Sequence, residues 1–187
     1  NVPVYVYTDY PTAELFVNGV SLGRQTKAAP SEPTTGNRRN KEVMKRFRLM
    51  WEEVKYVPGE IRVVAYDANG YPKMENTVKT ASKPHHIELS TYRTSLAADG
   101  KDLAYVTAKV VDKDGNLCPH DGRLVTFSVE GAGVFRASAN GDPTCLDIFH
   151  EPQMHAFGGM LTVIVQAGET PGNVTLNVNA KGLKPAS

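Results

Sequence analysis

Six asparagine–glycine or aspartate–glycine dipeptides punctuate the chain: Asn18-Gly19, Asn69-Gly70, Asp99-Gly100, Asp114-Gly115, Asp121-Gly122 and Asn140-Gly141. The first two sit between short runs of alternating apolar residues. Such dipeptides favour positive φ at both central positions of a type I′ turn, whose twist matches that of two paired strands. The spacing predicts an all-β, antiparallel chain built from hairpins. A small β-sandwich rarely encloses a catalytic cleft, so the pattern points to a spacer, a binder or an appended module.

Composition narrows the classes further. A chain of 187 residues suits one large or two small domains. The formal charge of +1 predicts neither a nucleic-acid partner nor an anionic membrane surface. No apolar run approaches the roughly 20 residues that span a bilayer, and no signal peptide is visible. The chain opens on Asn1 and runs straight into Val2-Pro3-Val4-Tyr5-Val6-Tyr7, which reads as a strand already under way and predicts a piece of a longer protein. Cys118 and Cys145 allow one intramolecular bridge or two unpaired small hydrophobes.

Two tandem immunoglobulin-like antiparallel sandwiches are expected, over residues 1–83 and 84–187. In the first, residues 13–17 and 20–27 flank Asn18-Gly19 as a hairpin. Residues 28–42 form a polar loop carrying Arg38, Arg39 and Lys41, either a solvated hairpin tip or a contact for an anion or sugar. Residues 43–51 resume as a strand, Pro58-Gly59 turns, and residues 60–67 pair with 71–80 across Asn69-Gly70. Residues 81–84 read as a linker ending in Pro84. In the second region Ala104, Val106, Ala108 and Val110 share one strand face, as do Val125, Phe127 and Val129, and Val174, Leu176 and Val178. Residues 160–165 are apolar on both faces and should be the most buried strand. About seven strands in about 100 residues is the immunoglobulin-like count.

Few constellations suggest chemistry. Glycoside hydrolysis needs two carboxyl groups facing across a cleft, and the adjacent Glu52 and Glu53 should point to opposite faces of a strand. Asp142, Asp147, His150, Glu151 and His155 mix acid, base and metal-ligand types, in a spacing that matches no motif. A long polar strand connection is the better reading of them. Asp112-Lys113-Asp114-Gly115-Asn116 alternates oxygens like a calcium loop, but its glycine comes fourth and no glutamate closes it. A β-turn accounts for it. His85-His86 adjoin the linker at a strand start.

Aromatic rings are the remaining signal, because a pyranose stacks its C–H face on a π-surface. Trp51 is the sole tryptophan and shares its alternating face with Phe47 and Leu49, which favours a core position. Tyr5 and Tyr7 face opposite to Val4 and Val6, so that sheet surface is aromatic; Tyr10 follows less regularly. Trp51, Tyr5 and Tyr7 are the candidate carbohydrate contacts, although the tyrosine surface suits a neighbouring domain better than a saccharide.

Several of these segments resemble a known family. Val4-Tyr5-Val6-Tyr7-Thr8 and Ala13-Glu14-Leu15-Phe16-Val17-Asn18-Gly19-Val20-Ser21-Leu22-Gly23 resemble the start of a domain behind the catalytic barrel of Bacteroidetes-type glycoside hydrolase family 2 enzymes, usually labelled β-galactosidases. Arg48-Leu49-Met50-Trp51, Tyr56-Val57-Pro58-Gly59-Glu60-Ile61 and Val64-Ala65-Tyr66 continue the match. Residues 97–103, 140–144 and 156–160 are similar to segments of the Ig-like C-terminal domain in the same enzymes, in the same order. The resemblance implies a hydrolase parent in carbohydrate metabolism that acts on O-glycosidic bonds. It also implies a periplasmic or extracellular location, with upstream barrel and sandwich domains as partners. In that family two glutamates on the upstream (β/α)8 barrel act as acid/base and nucleophile. No segment here resembles barrel strands, so no catalytic residue, cofactor or metal site is assigned to this chain. The loop over residues 28–41 looks longer than usual for the family, and Cys118 and Cys145 are departures from it. Three roles follow: a non-catalytic C-terminal piece of such an enzyme, a carbohydrate-binding module, or a bacterial Ig-like adhesin segment.

Overall fold

The computed structural model describes residues 1–28 and 44–187. The basic cluster Arg38, Arg39 and Lys41, with most of the polar loop around it, lies outside the described residues. The chain is all-β and antiparallel and divides into two compact units, Asn1–Thr80 and Ala81–Ser187.

Unit one contains β1 (Val2–Val6), β2 (Thr12–Val17), β3 (Val20–Thr26), β4 (Leu49–Val54), β5 (Glu60–Tyr66) and β6 (Pro72–Lys79). Strands β3-β2-β5-β6 form one sheet, and among the described residues β1 and β4 form the other. Ala13, Leu15 and Ala65 from the wide sheet meet Leu49, Trp51 and Val54 from the narrow one, with Val4, Val6, Ile61 and Val63 around them. Apart from Val54, these are the residues that strand alternation sends to one side, so the sequence pattern and most of the core coincide.

The turns hold the sheets in register. Asn18 (φ +48°) and Gly19 (φ +81°) both take positive φ, as a type I′ hairpin requires. At Asn69-Gly70 only the glycine does. There the Asp67 carboxylate accepts from the Asn69 and Tyr71 amides, both at 2.9 Å, so a side chain shapes the turn in place of a second left-handed residue. A third turn is clamped to the first. Asn18 Nδ2 donates to the Pro58 carbonyl (3.2 Å), while its Oδ1 accepts from the Glu60 amide (2.7 Å). Gly59 lies against the Asn18 amide group so closely that a Cβ there would overlap it.

Two sequence expectations change here. Residues 44–47 form a turn in which the Phe47 and Arg48 amides both donate to the Met44 carbonyl at 3.1 Å, so β4 starts at Leu49 and Phe47 is exposed. In β4 one extra residue opposes β1, since Val2 pairs with Val54 but Val4 with Trp51. This bulge falls opposite Pro3, which has no N–H to give to the ladder. It turns Trp51 and Val54 inward together and leaves both Glu52 and Glu53 exposed, in place of the opposed faces that plain alternation predicts.

Unit two has seven strands, β7 (His86–Thr91), β8 (Leu103–Val111), β9 (Leu124–Gly131), β10 (Gly133–Ala139), β11 (Gln153–His155), β12 (Met160–Ala167) and β13 (Val174–Ala180). Sheet β10-β12-β8-β7 packs on sheet β11-β9-β13. Strand β12, expected from its apolar run to be the most buried, lies between β10 and β8. One face is fully buried through Leu161, Val163 and Val165, while Thr162, Ile164 and Gln166 are half-buried on the other. Residues 81–83, read from sequence as linker, fall in the second unit, and the Ser82 amide donates to the Asp112 carboxylate at 2.8 Å. Both cysteines are unpaired, Cys118 buried and Cys145 half-buried.

Leu15 is fully buried between the sheets of unit one. Leu15→Ala is expected to lower unfolding stability by about 2–5 kcal/mol, through lost transfer energy and a residual cavity. Leu22→Ala, at an exposed position of β3, should change it by no more than about 0.5 kcal/mol. Urea midpoints of the two variants check this.

Candidate functional site

The tyrosine surface of β1 forms as the alternation predicts. Val4 and Val6 enter the core, and Tyr5 and Tyr7 project from the opposite side, exposed to 45% and 67%. Arg48, which the sequence reading did not single out, joins them. Its guanidinium lies 4.1 Å from the centre of the Tyr5 ring, and its Nη1 donates to the Tyr7 hydroxyl at 2.9 Å. The cation covers one π-face of Tyr5. Exposed Phe47 and Met74 join Tyr7 and Tyr10 around a shallow basin at the same end of the unit. Trp51 is 7% exposed and belongs to the core; its Nε1 has no hydrogen-bond partner among the described residues.

The polar connection of unit two separates most of its candidate residues. Asp147 and His155 meet: the carboxylate accepts from the His155 amide at 2.7 Å and lies 3.0 Å from Nδ1. These contacts, the amide first, hold the Asp147 carboxyl below its ordinary range. Asp142 instead accepts from the Thr144 amide and hydroxyl at 2.8 and 2.7 Å, closing its own turn. His150 and Glu151 are exposed. Among the described residues no group of three His, Cys, Asp or Glu side chains is placed to hold a metal ion. His85 and His86 face each other with Nδ1 atoms 3.0 Å apart, one ring edge-on to the other.

Asp112 shows what the calcium-like spacing encodes. Its buried carboxylate accepts from the amides of Ser82, Asp114 and Asn116 at 2.8–2.9 Å and from Asn116 Nδ2 at 3.1–3.2 Å. The oxygens that a cation would need are occupied by N–H donors. The turn is a structural tie between the start of unit two and the end of β8.

Concave surfaces are few in acids. A cleft of about 930 Å³ in unit two has an apolar floor of Ala104, Val165 and Leu176 and a hydroxyl-bearing rim of Thr91, Ser95 and Thr170, with no carboxylate in its lining. Clefts of about 430, 340 and 680 Å³ in unit one each hold a single acid, Glu52, Glu75 and Asp9 respectively. Among the described residues none of these four presents the opposed pair that glycosidic cleavage uses.

Comparison with known proteins places this geometry. Residues 87–187 match the glycoside hydrolase family 2 C-terminal domain 5, and residues 1–72 match a domain of unknown function, DUF4982. The chain belongs to the glycoside hydrolase family 2 C-terminal domain 5 family. It is 35% identical over 180 residues to the β-galactosidase BoGH2A of Bacteroides ovatus, covering 96% of this chain and 19% of that protein. Similarity extends to a β-glucuronidase of Formosa agariphila, at 26% identity over 98% of this chain and 17% of the relative. Among solved structures, a glycosyl hydrolase family 2 member from Bacteroides cellulosilyticus superposes with a TM-score of 0.82 at 31% identity, over 98% of this chain and 23% of that one. A β-glycosidase from Bacteroides vulgatus gives 0.85 at 26% identity, over 99% and 22%. The chain spans about a fifth of the length of the relatives it matches.

The Asp112 tie has a pH signature. Its carboxyl is held far below the ordinary value of 3.8, first by the Ser82 amide, with Asn116 and Asp114 adding to it against the cost of burial. A depressed folded-state value stabilises the protein above the unfolded value, and that contribution fades as pH falls. Asp112→Ala is expected to be destabilised at neutral pH and to lose less stability than the parent protein on acidification below 3.8. Urea midpoints across that range measure the difference, and parallel curves would show that Asp112 is not the tie.

Proposed function

We propose that this chain is a non-catalytic C-terminal piece of a longer glycoside hydrolase family 2 enzyme of the β-galactosidase type. The carrying observation is the alignment of 96% of the chain with only 19% of the Bacteroides ovatus β-galactosidase. In this reading catalysis belongs to an upstream barrel bearing both glutamates, and the two sandwiches pack against that barrel and its neighbouring domains. They extend the assembly and border the substrate cleft. The parent hydrolyses O-glycosidic bonds in carbohydrate metabolism and works in the periplasm or outside the cell. Its accessory pieces need stable exteriors more than reactive groups, and the carboxylates here fit that need. Glu14 accepts from Ser21, Arg24 and Tyr66 at 2.6–3.0 Å, Asp102 pairs with both Arg93 Nη atoms at 2.7 Å, and Asp121 chelates Arg123.

The purified chain is expected to release no nitrophenol from β-galactoside or β-glucuronide substrates. Turnover that co-purifies with it through successive columns would overturn the reading.

A second reading is favoured by one observation, the exposed Tyr5–Arg48–Tyr7 cluster beside Phe47. Here the tyrosines contact carbohydrate, while Trp51 supports the strand from beneath. Calorimetry against galactose-containing oligosaccharides should then show heats that Tyr7→Ala abolishes. Absence of heat across the panel removes this role.

A further inference from the structure

The two sheets of unit one are unequal, and the mismatch is one strand wide. Strand β1 lies over β5, where Val4 and Val6 pack with Ile61 and Val63. Strand β6 continues the wide sheet beyond β1, hydrogen-bonded to β5 from Glu60↔Lys79 to Tyr66↔Pro72. In that register Met74 stands opposite Ala65 and Val78 opposite Ile61, so both share the inner, core-facing side of the sheet. Inner-face residues are normally covered, yet Met74 is 64% exposed and Val78 66%. The outer face of the same strand is polar, with Glu75 paired to Arg62 at 3.1 Å and Lys79 to Glu60 at 3.8 Å. Strand β6 thus turns Met74, Asn76 and Val78 over a slot of about 340 Å³, two apolar side chains flanking one amide.

The floor of the slot is the second edge of β1, which pairs only with β4 among the described residues. Edge strands are normally blunted by charge, and β6 carries Lys73 and Lys79 in that manner. Strand β1, with the sequence Val-Pro-Val-Tyr-Val, has no charged residue. A backbone edge unpaired among the described residues, next to an uncovered strip of Met74, Asn76 and Val78 one strand wide, has the two properties that a β-strand satisfies together. Main-chain hydrogen bonds complete β1, and alternate apolar side chains cover Met74 and Val78. A sugar or a flat protein surface meets only one of them. A second copy of this chain does not fit. Joining β1 to β1 would bring two overhanging β6 strands into the width of one.

We propose that the open edge of β1 receives an added β-strand from polypeptide outside these 187 residues, with alternate apolar side chains seated on Met74 and Val78. This rests on the reading of the chain as part of a longer enzyme, whose relatives are about five times its length.

The test compares the 187-residue chain with the full-length parent protein, each carrying Met74→Cys or Val78→Cys. Maleimide labelling is read at the peptide level, and amide hydrogen exchange is read along β1. In the isolated chain both cysteines should label rapidly and alternate β1 amides should exchange rapidly. In the parent, labelling at both positions should slow at least tenfold, with those amides slowing alongside. Unchanged labelling in the parent overturns the proposal. So does slow labelling without amide protection, which means a covering surface other than a strand. Protection already present in the isolated chain also overturns it, because the slot is then filled from within. The enzyme reading fails on a different readout, glycoside turnover by the isolated chain.

Discussion

Two inner sheet faces pressed together hold each unit, and the narrower sheet decides how much of the wider one is kept from water. Burial of apolar area is the main favourable term in a fold of this size. It acts only where both faces exist. In unit two, four strands meet three, and the interior closes around Val163, Met154 and Val178, each fully buried. In unit one, four strands meet two among the described residues, and the wide sheet projects past its cover. The same alternation that builds a sealed interior in one unit leaves Met74 and Val78 in water in the other.

Most of this architecture is legible in the sequence, because period-two alternation and turn dipeptides are local signals. The hairpin at Asn18-Gly19, the core face of β8 and the burial of β12 follow from them directly. What escapes is set by contacts distant in sequence. Phe47 continues an apolar alternation yet sits in a turn, because the Met44 carbonyl collects two amides there. Glu52 and Glu53 share the exposed side because Pro3, on another strand, cannot feed the ladder. Four of the other five turn dipeptides place only their glycine at positive φ, and Gly122 keeps negative φ while Asp121 binds the Arg123 amide. The candidate site was legible in part. Tyr5 and Tyr7 can be assigned to one face by counting, but Arg48 reaches them from 41 residues away in the chain, and no periodicity announces that.

The ionisable groups point to a common economy of use. Asp67, Asp102, Asp112, Asp121 and Asp147 all have carboxyls held below their ordinary range by amides, guanidinium groups or an imidazole. Shifts of this direction stabilise a charged carboxylate at neutral pH, whereas a general acid needs the opposite shift. Perturbed acids commonly mark reactive centres. These five mark turns and strand ends, where a side-chain oxygen takes over backbone donors that no strand can satisfy.

The clasp between Asn18 and the 58–60 turn carries a consequence for how such a chain can vary. Gly59 leaves no room for a side chain while Asn18 is in place, and Asn18 is held by the very backbone that Gly59 permits. Asn18, 40 positions from Pro58, can be exchanged at the cost of its two hydrogen bonds to that turn, whereas Gly59, at φ +138°, is strained by any side chain even once Asn18 is shortened. Drift at these two sites is thus unequal, and lineages of this domain should keep the glycine even where the asparagine has been replaced.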